Sequence, residues 1–191
     1  MYHLGYACLM AVDRENVLRA AASLLMRKSS ATMDEVARAA GISRATLNRQ
    51  FAGRDALVRA LEELGIAECE AAIARAAIDD GPAADAVRRL VQELEPVARQ
   101  LAFLYSENQL FEGDEQNAGW ARLDARLVAL FRRGQEAGEF RIDLSPVWLT
   151  EALYGLLVSA AWAICDGRVA PKDLSSNVTE LLLGGALRTA K

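Results

Sequence analysis

The sequence predicts an all-α protein of about nine helices. Strong helix formers (Ala, Leu, Arg, Glu) dominate it, only four of its 191 residues are proline, and apolar positions recur at helical spacing along most of its length. Apolar residues make up 52 % and charged residues 25 %, a balance that supports a packed core and excludes extended disorder. The length suits a small domain joined to a larger one.

The first helix is expected from an Asp13 N-cap, with Val17, Leu18, Ala21, Leu24 and Leu25 on one face. Residues 1–12 read as a flexible extension, with Met10 a second candidate for the natural start. The second helix carries a capping box, in which Thr32 accepts from the Glu35 N–H and Glu35 reaches back. Gly41 ends it, Ile42 is an apolar plug, and Ser43 caps a short third helix from about Arg44 to Gln50. Leu47 and Phe51 form the inner side of that helix. Arg44, Ala45, Asn48 and Arg49 form the outer side. A fourth helix opens at Arg54 and runs to about Ile78. Five more follow: Pro82 to Leu94, Pro96 to Ser106, Gly119 to Ala137, Ser145 to Asp166, and Pro171 to Leu187. The polar stretch Glu107 to Ala118 reads as a loop.

Several classes of function are excluded at this level. The most apolar stretch, Leu153 to Ile164, is shorter than the ~18 residues of a membrane span, so no membrane association is expected. Cys8, Cys69 and Cys165 are odd in number and widely spaced. They read as reduced thiols of a cytoplasmic protein, not as a disulfide framework or metal site. The single histidine, His3, lies in the N-terminal extension. With no Gly-rich phosphate loop, nucleophile elbow or specifically spaced carboxylate pair, no enzyme, cofactor or metal is expected.

The net charge of −4 is unevenly distributed. Met10 to Ala60 carries nine basic and five acidic residues, a net of +4, and the remainder from Leu61 carries −8. A basic head on an acidic body is the pattern of a nucleic-acid reader with a separate second domain. Two short helices joined by Gly41, Ile42 and Ser43, the second with a polar and basic outer face, form a helix-turn-helix.

The stretch Thr32 to Leu61, TMDEVARAAGISRATLNRQFAGRDALVRAL, resembles the signature of the TetR family. That pattern is a capped helix, A-G-[IV]-S, a short helix ending in an aromatic residue, and a basic residue opening the next helix. The resemblance covers residues 13–61; beyond them only the architecture agrees. It implies a three-helix DNA-binding domain over 13–60, and a larger effector-binding and dimerisation domain over 61–191. It places Ser43, Arg44, Ala45, Thr46, Asn48 and Arg49 at duplex DNA, with Thr32 and Arg54 at phosphates. The family usually has Tyr where Asn48 stands, and often His or Tyr where Gln50 stands, which leaves the DNA sequence open. Asn48 suits a bidentate pair with adenine, and Arg44 or Arg49 with guanine, each worth about 1–3 kcal/mol of discrimination.

For the body, the resemblance implies a cavity for a small apolar or amphipathic effector. Phe103, Tyr105, Phe111, Trp120, Trp148 and Tyr154 are its candidate walls, with Asn108, Glu107 and Glu151 as polar contacts. Carboxylates there favour a cationic or hydroxylated ligand. Ordinary core packing is the alternative for each aromatic. Small residues among large ones in the last two helices permit close helix approach. The family dimerises through these helices, so Gly155, Ser159, Trp162, Ala163, Val178, Leu181, Leu182 and Gly185 are the candidate interface. The expected function is a homodimeric repressor, released from a palindromic operator by an effector. A DNA-binding architectural or cell-division factor on the same fold, without an effector, is the alternative.

Overall fold

The structure is a computed structural model that describes the backbone of residues 3–108 and 118–187. Among the described residues it is all helical, with nine α-helices and no strand. These are α1 (His3–Arg27), α2 (Met33–Ala39), α3 (Arg44–Gln50), α4 (Arg54–Ala76), α5 (Ala83–Leu94), α6 (Ala98–Asn108), α7 (Ala118–Glu136), α8 (Pro146–Cys165) and α9 (Leu174–Ala186). Short 3-10 turns, Glu95–Val97 and Pro171–Asp173, lead into α6 and α9. The chain divides into two compact units, Met1–Leu64 and Gly65–Lys191. The division falls inside α4, about one helical turn beyond the boundary expected from the sequence.

In the first unit, α1 packs on α2 and α2 on α3. Val17, Leu18, Ala21 and Leu25 of α1 are buried with Val36 and Ala37 of α2, Leu47 of α3, Phe51, and Leu57 and Leu61 of α4. Full burial of a side chain such as Leu47 or Phe51 is worth about 1.5–3 kcal/mol, so seven residues of α3 are held by these two anchors more than by helix propensity. One correction concerns α1. It begins at His3, so residues 3–12 belong to the helix, and Asp13 lies inside α1 and not at its start. No proline interrupts this segment, and Tyr6 to Val12 are apolar residues compatible with a helix.

In the second unit, α8 packs on α6, α7 and α9, while α5 packs on α7 and α9. Phe103, Leu104, Leu123, Leu127, Phe131, Leu153 and Leu157 are in its core. The corner between α4 and α5 is closed by charged side chains on backbone groups. Arg89 donates to the carbonyls of Ala76, Ala77 and Asp80, and Arg133 to those of Ile78 and Gly81. The Glu139 carboxylate accepts from the N–H groups of Ala83 (2.8 Å) and Ala84 (3.0 Å), satisfying the donors at the start of α5. After α7 the chain turns back, and Phe140 makes an isolated antiparallel bridge with Leu187.

The expectation of no span-length apolar segment is overturned for α8. This helix is 20 residues long and contains an 18-residue window of mean hydropathy 1.5, a length and composition shared by membrane spans and by core helices of globular proteins. The helix opens at Ser145 and Pro146 as expected, but its apolar run extends back beyond Leu153 through Val147, Trp148 and Leu149. Only 28 % of that apolar window is buried within the chain, which leaves much of one face uncovered.

Candidate nucleic-acid interface and effector site

The turn between α2 and α3 is built by local chemistry. Thr32 accepts from the Glu35 N–H at 3.3 Å, and Glu35 accepts from the Thr32 N–H at 2.8 Å. Both halves of the expected capping box are therefore present. Lys28 adds an ion pair to Glu35 at 2.7 Å, and these donors lower the Glu35 carboxyl from its ordinary value to about 2. At the other end of α2, Gly41 takes φ +68°. Its N–H donates to Arg38 O and that of Ile42 to Ala37 O, the paired bonds of a Schellman ending. A side chain at position 41 would be strained by that backbone conformation. Ser43 is then extended, and its Oγ accepts from the Thr46 N–H at 3.1 Å to start α3.

This construction turns one side of α3 inward and the other outward. Leu47 and Phe51 are buried, whereas Ser43, Arg44, Ala45, Asn48 and Arg49 are exposed. Arg44 Nη1 lies 3.0 Å from Asp34 Oδ2. The Arg49 side chain makes no hydrogen bond or ion pair among the described residues. Thr46 is half-buried, its hydroxyl 2.9 Å from that of Ser43. Thr32 is exposed but engaged in its capping box. Arg54 is engaged too, donating to the carbonyls of Ser29 (2.8 Å) and Ala31 (3.3 Å), where it ties the link between α1 and α2 to the start of α4. The arrangement presents two guanidinium groups and one amide on a single short helix, a set suited to base edges and phosphates.

The body brings together a different set. Tyr154 of α8 donates its hydroxyl to Asp124 Oδ1 of α7 at 3.0 Å. Burial and the neighbouring Asp124 charge push the Tyr154 phenol above its ordinary range, with Cys69 and Glu151 adding to the shift. Cys69 of α4 is buried, which pushes its thiol up to about 12, and Glu68 and Glu70 add to that. Phe103 and Glu107 of α6 are buried and Trp120 of α7 is half-buried. Two other expected walls, Tyr105 and Trp148, and one expected polar contact, Glu151, stand outward. Tyr105 is 45 % exposed, Trp148 is 59 % exposed and Glu151 is exposed, because they occupy outward positions on α6 and α8. Phe111 and the side chain of Asn108 lie outside the described residues. A concavity of about 320 Å³ lies elsewhere, between the start of α6 and the junction of α8 with α9, where Glu95, Arg99, Ile164 and Leu174 help to line it.

The expected dimer residues separate into two groups. Gly155, Trp162 and Ala163 are half-buried, and Ser159, Leu181 and Gly185 are exposed. Among the described residues, a Cβ at Gly155, Gly184 or Gly185 would meet nothing within 4 Å beyond the backbone of its own helix. Val178 and Leu182 are a correction. They are 2 % and 4 % exposed and belong to the body's own core, because α9 turns them inward together with Leu174, Leu183 and Ala186. Sequence reading also missed Arg14, Asp34 and Asp124. Each acts through a partner distant in sequence, and only the helix spacing of Asp124 beside Leu123 and Leu127 placed it near an inner face.

Residues 17–61 match the family model of bacterial regulatory proteins of the tetR family. The HTH-type transcriptional regulator NfxB of Pseudomonas aeruginosa is 30 % identical over 179 residues, covering 93 % of this chain and 96 % of that protein. The HTH-type transcriptional repressor LfrR of Mycolicibacterium smegmatis is 28 % identical over 171 residues, covering 90 % and 89 %. A crystal structure of LfrR in complex with proflavine superposes with a TM-score of 0.76 at 25 % identity, covering 93 % of this chain and 97 % of LfrR. These likenesses extend from the capped helix-turn-helix through the helical body, and the chain belongs to the tetR family, a DNA-binding transcriptional regulator and not an enzyme.

Proposed function

We propose that this chain is a cytoplasmic homodimeric repressor that reads a palindromic operator with α3 and leaves it when a planar, apolar cation binds the body. The observation that carries the DNA-reading half is the outward face of α3, where Arg44, Asn48 and Arg49 stand exposed on a helix anchored by Leu47 and Phe51. Thr32, Ser43, Ala45, Thr46 and Arg54 complete the surface in this reading. A twofold dimer sets two such helices about one DNA turn, roughly 34 Å, apart. The largely uncovered apolar face of α8, with Gly155, Ser159, Trp162 and Ala163, and the outward Leu181, Gly184 and Gly185 of α9 support an isologous interface. The relative LfrR is named a repressor, which supports repression here.

The effector class rests on Tyr154. Its hydroxyl donates to the Asp124 carboxylate, so an aromatic ring of the body stands beside a negative charge. That combination favours a cation with an aromatic plane. LfrR was solved with proflavine, a planar aromatic cation. A ligand releases DNA only by binding the two states of the dimer unequally.

The test is sedimentation of the chain with a duplex that it has itself retained from a randomised pool, with and without proflavine. Two chains per duplex, falling apart as proflavine is added, is the expected result. One chain per duplex would overturn the dimer. A complex indifferent to proflavine and to other planar cations that bind the protein would overturn effector release and favour an architectural factor on this fold.

A further inference from the structure

The reading helix is capped at both ends by side chains, and one of them comes from another helix. At its start Ser43 accepts from the Thr46 N–H. At its end α3 stops at Phe51, which is extended (φ −135°, ψ 117°) and buried. There Arg14 of α1 arrives from 36 positions away in the sequence. Its guanidinium carbon sits 4.7 Å from the centroid of the Phe51 ring, and its Nη1 donates to the Gln50 carbonyl at 3.4 Å. The Gln50 side-chain oxygen is buried and has no hydrogen-bond partner among the described residues, so that side chain gives the helix end no anchor through its oxygen.

Two physical effects favour a cation at this place. The last carbonyls of a helix carry the negative end of its dipole and lack intrahelical donors. The face of an aromatic ring attracts a guanidinium and stacks with its plane. A seven-residue helix has little cooperativity of its own, so its tilt is set by its anchors. Leu47 and Phe51 fix its inner side, and a rotation about the line between them would shift Asn48 and Arg49 relative to a groove. Arg14 opposes this motion because it holds the terminal carbonyl and the terminal ring together.

We propose that Arg14 is a positioning residue for DNA reading, which fixes the C-terminal end of α3 through Phe51 and Gln50 and so aims Asn48 and Arg49. It acts without itself touching DNA. The proposal rests on α3 as the reading helix, and its test includes an arm that needs no DNA.

The variants are Arg14→Ala and Arg14→Lys in the full chain. The DNA-free arm is amide hydrogen exchange along α3. In Arg14→Ala the Phe51 and Leu47 amides should exchange about tenfold faster, while the buried amides of α2 keep their protection and Tm moves little. The DNA arm compares a duplex retained by the wild type with a scrambled one over a range of salt. Arg14→Ala should bind the retained duplex about tenfold more weakly and the scrambled duplex within about twofold of wild type, with the salt dependence unchanged. Arg14→Lys keeps a cation over the ring and should recover part of both losses.

An equal loss on both duplexes with a salt slope lower by about one would overturn the proposal, because it marks Arg14 as a phosphate contact. Unchanged binding to the retained duplex would also overturn it, and so would unchanged exchange in α3. If the wild type prefers no duplex, the reading of α3 fails, and the exchange arm still decides whether Arg14 holds the helix end.

Discussion

Asp34 and Arg44 link the two helices of the helix-turn-helix, with Arg44 Nη1 3.0 Å from Asp34 Oδ2. Both side chains are exposed, so the pair adds little to stability. It does hold one basic group of α3 and places a carboxylate beside the proposed DNA surface. Asp34→Asn should therefore tighten DNA binding by about threefold or more at low salt, with the gain shrinking as salt rises. Fluorescence anisotropy of a labelled duplex at several salt concentrations measures this. Weaker binding would mean that the ion pair is needed to orient Arg44, and unchanged binding that Asp34 has no influence on the DNA surface.

Glu35 titrates far below its ordinary value of 4.5, at about 2, because Lys28 and both donors of Thr32 favour its charged form. Its folded pKa is the lower one, so its contribution to stability is present above the ordinary carboxylate range and disappears as pH falls from 4.5 towards 2. Urea unfolding of the head followed by circular dichroism should show stability falling over that window. Glu35→Gln should flatten the fall. An identical pH profile in the variant would show that the capping box is not the source.

Gly134 sits inside α7 where the chain folds back onto it. A Cβ there would run into the Phe140 ring and into Ala83, and the Phe140 ring is already packed against Phe131 with centroids 5.7 Å apart. Alanine gains helix propensity of about 1 kcal/mol over glycine, yet overpacking typically costs about 1–3 kcal/mol. Gly134→Ala should lower the Tm of the body in a thermal melt. A raised Tm would mean that Phe140 moves aside at no cost.

Cys69 and Cys165 should differ sharply towards iodoacetamide. Burial pushes the Cys69 thiol up to about 12, whereas Cys165 is exposed at the end of α8. In the native protein at about pH 8, the exposed Cys165 should be alkylated and Cys69 spared until urea is added. Peptide mass spectrometry reads both sites. Native labelling of Cys69 at the rate of Cys165 would remove it from the interior beside Tyr154.

Local chemistry made the head legible in the sequence. Thr32 with Glu35, Gly41, and Ser43 act within a few residues of themselves, so the pattern of residues specifies the bonds that the structure contains. The body was legible as helices but less so as surfaces. Small residues in α8 and α9 marked a region of close packing, but did not say which residues face inward: Val178 and Leu182 went to the core, and Leu181 went outward. Trp148 suggested a pocket by residue type, yet its position in the first turn of α8 leaves it exposed. Arg14 with Phe51 and Asp124 with Tyr154 join helices far apart in the chain, and no periodicity within one helix encodes such a meeting.

The central claim is that the exposed side of α3 reads DNA sequence as part of a twofold pair. Its most direct test is to let the purified chain select from a randomised duplex pool at a fixed, stated salt, in parallel with a variant carrying Arg44→Ala and Arg49→Ala, and to sequence what each retains. The wild type should enrich an inverted repeat, with half-site centres about 10 base pairs or a multiple apart, and the variant should not. The same repeat enriched by both proteins, or no repeat by either, would contradict the claim.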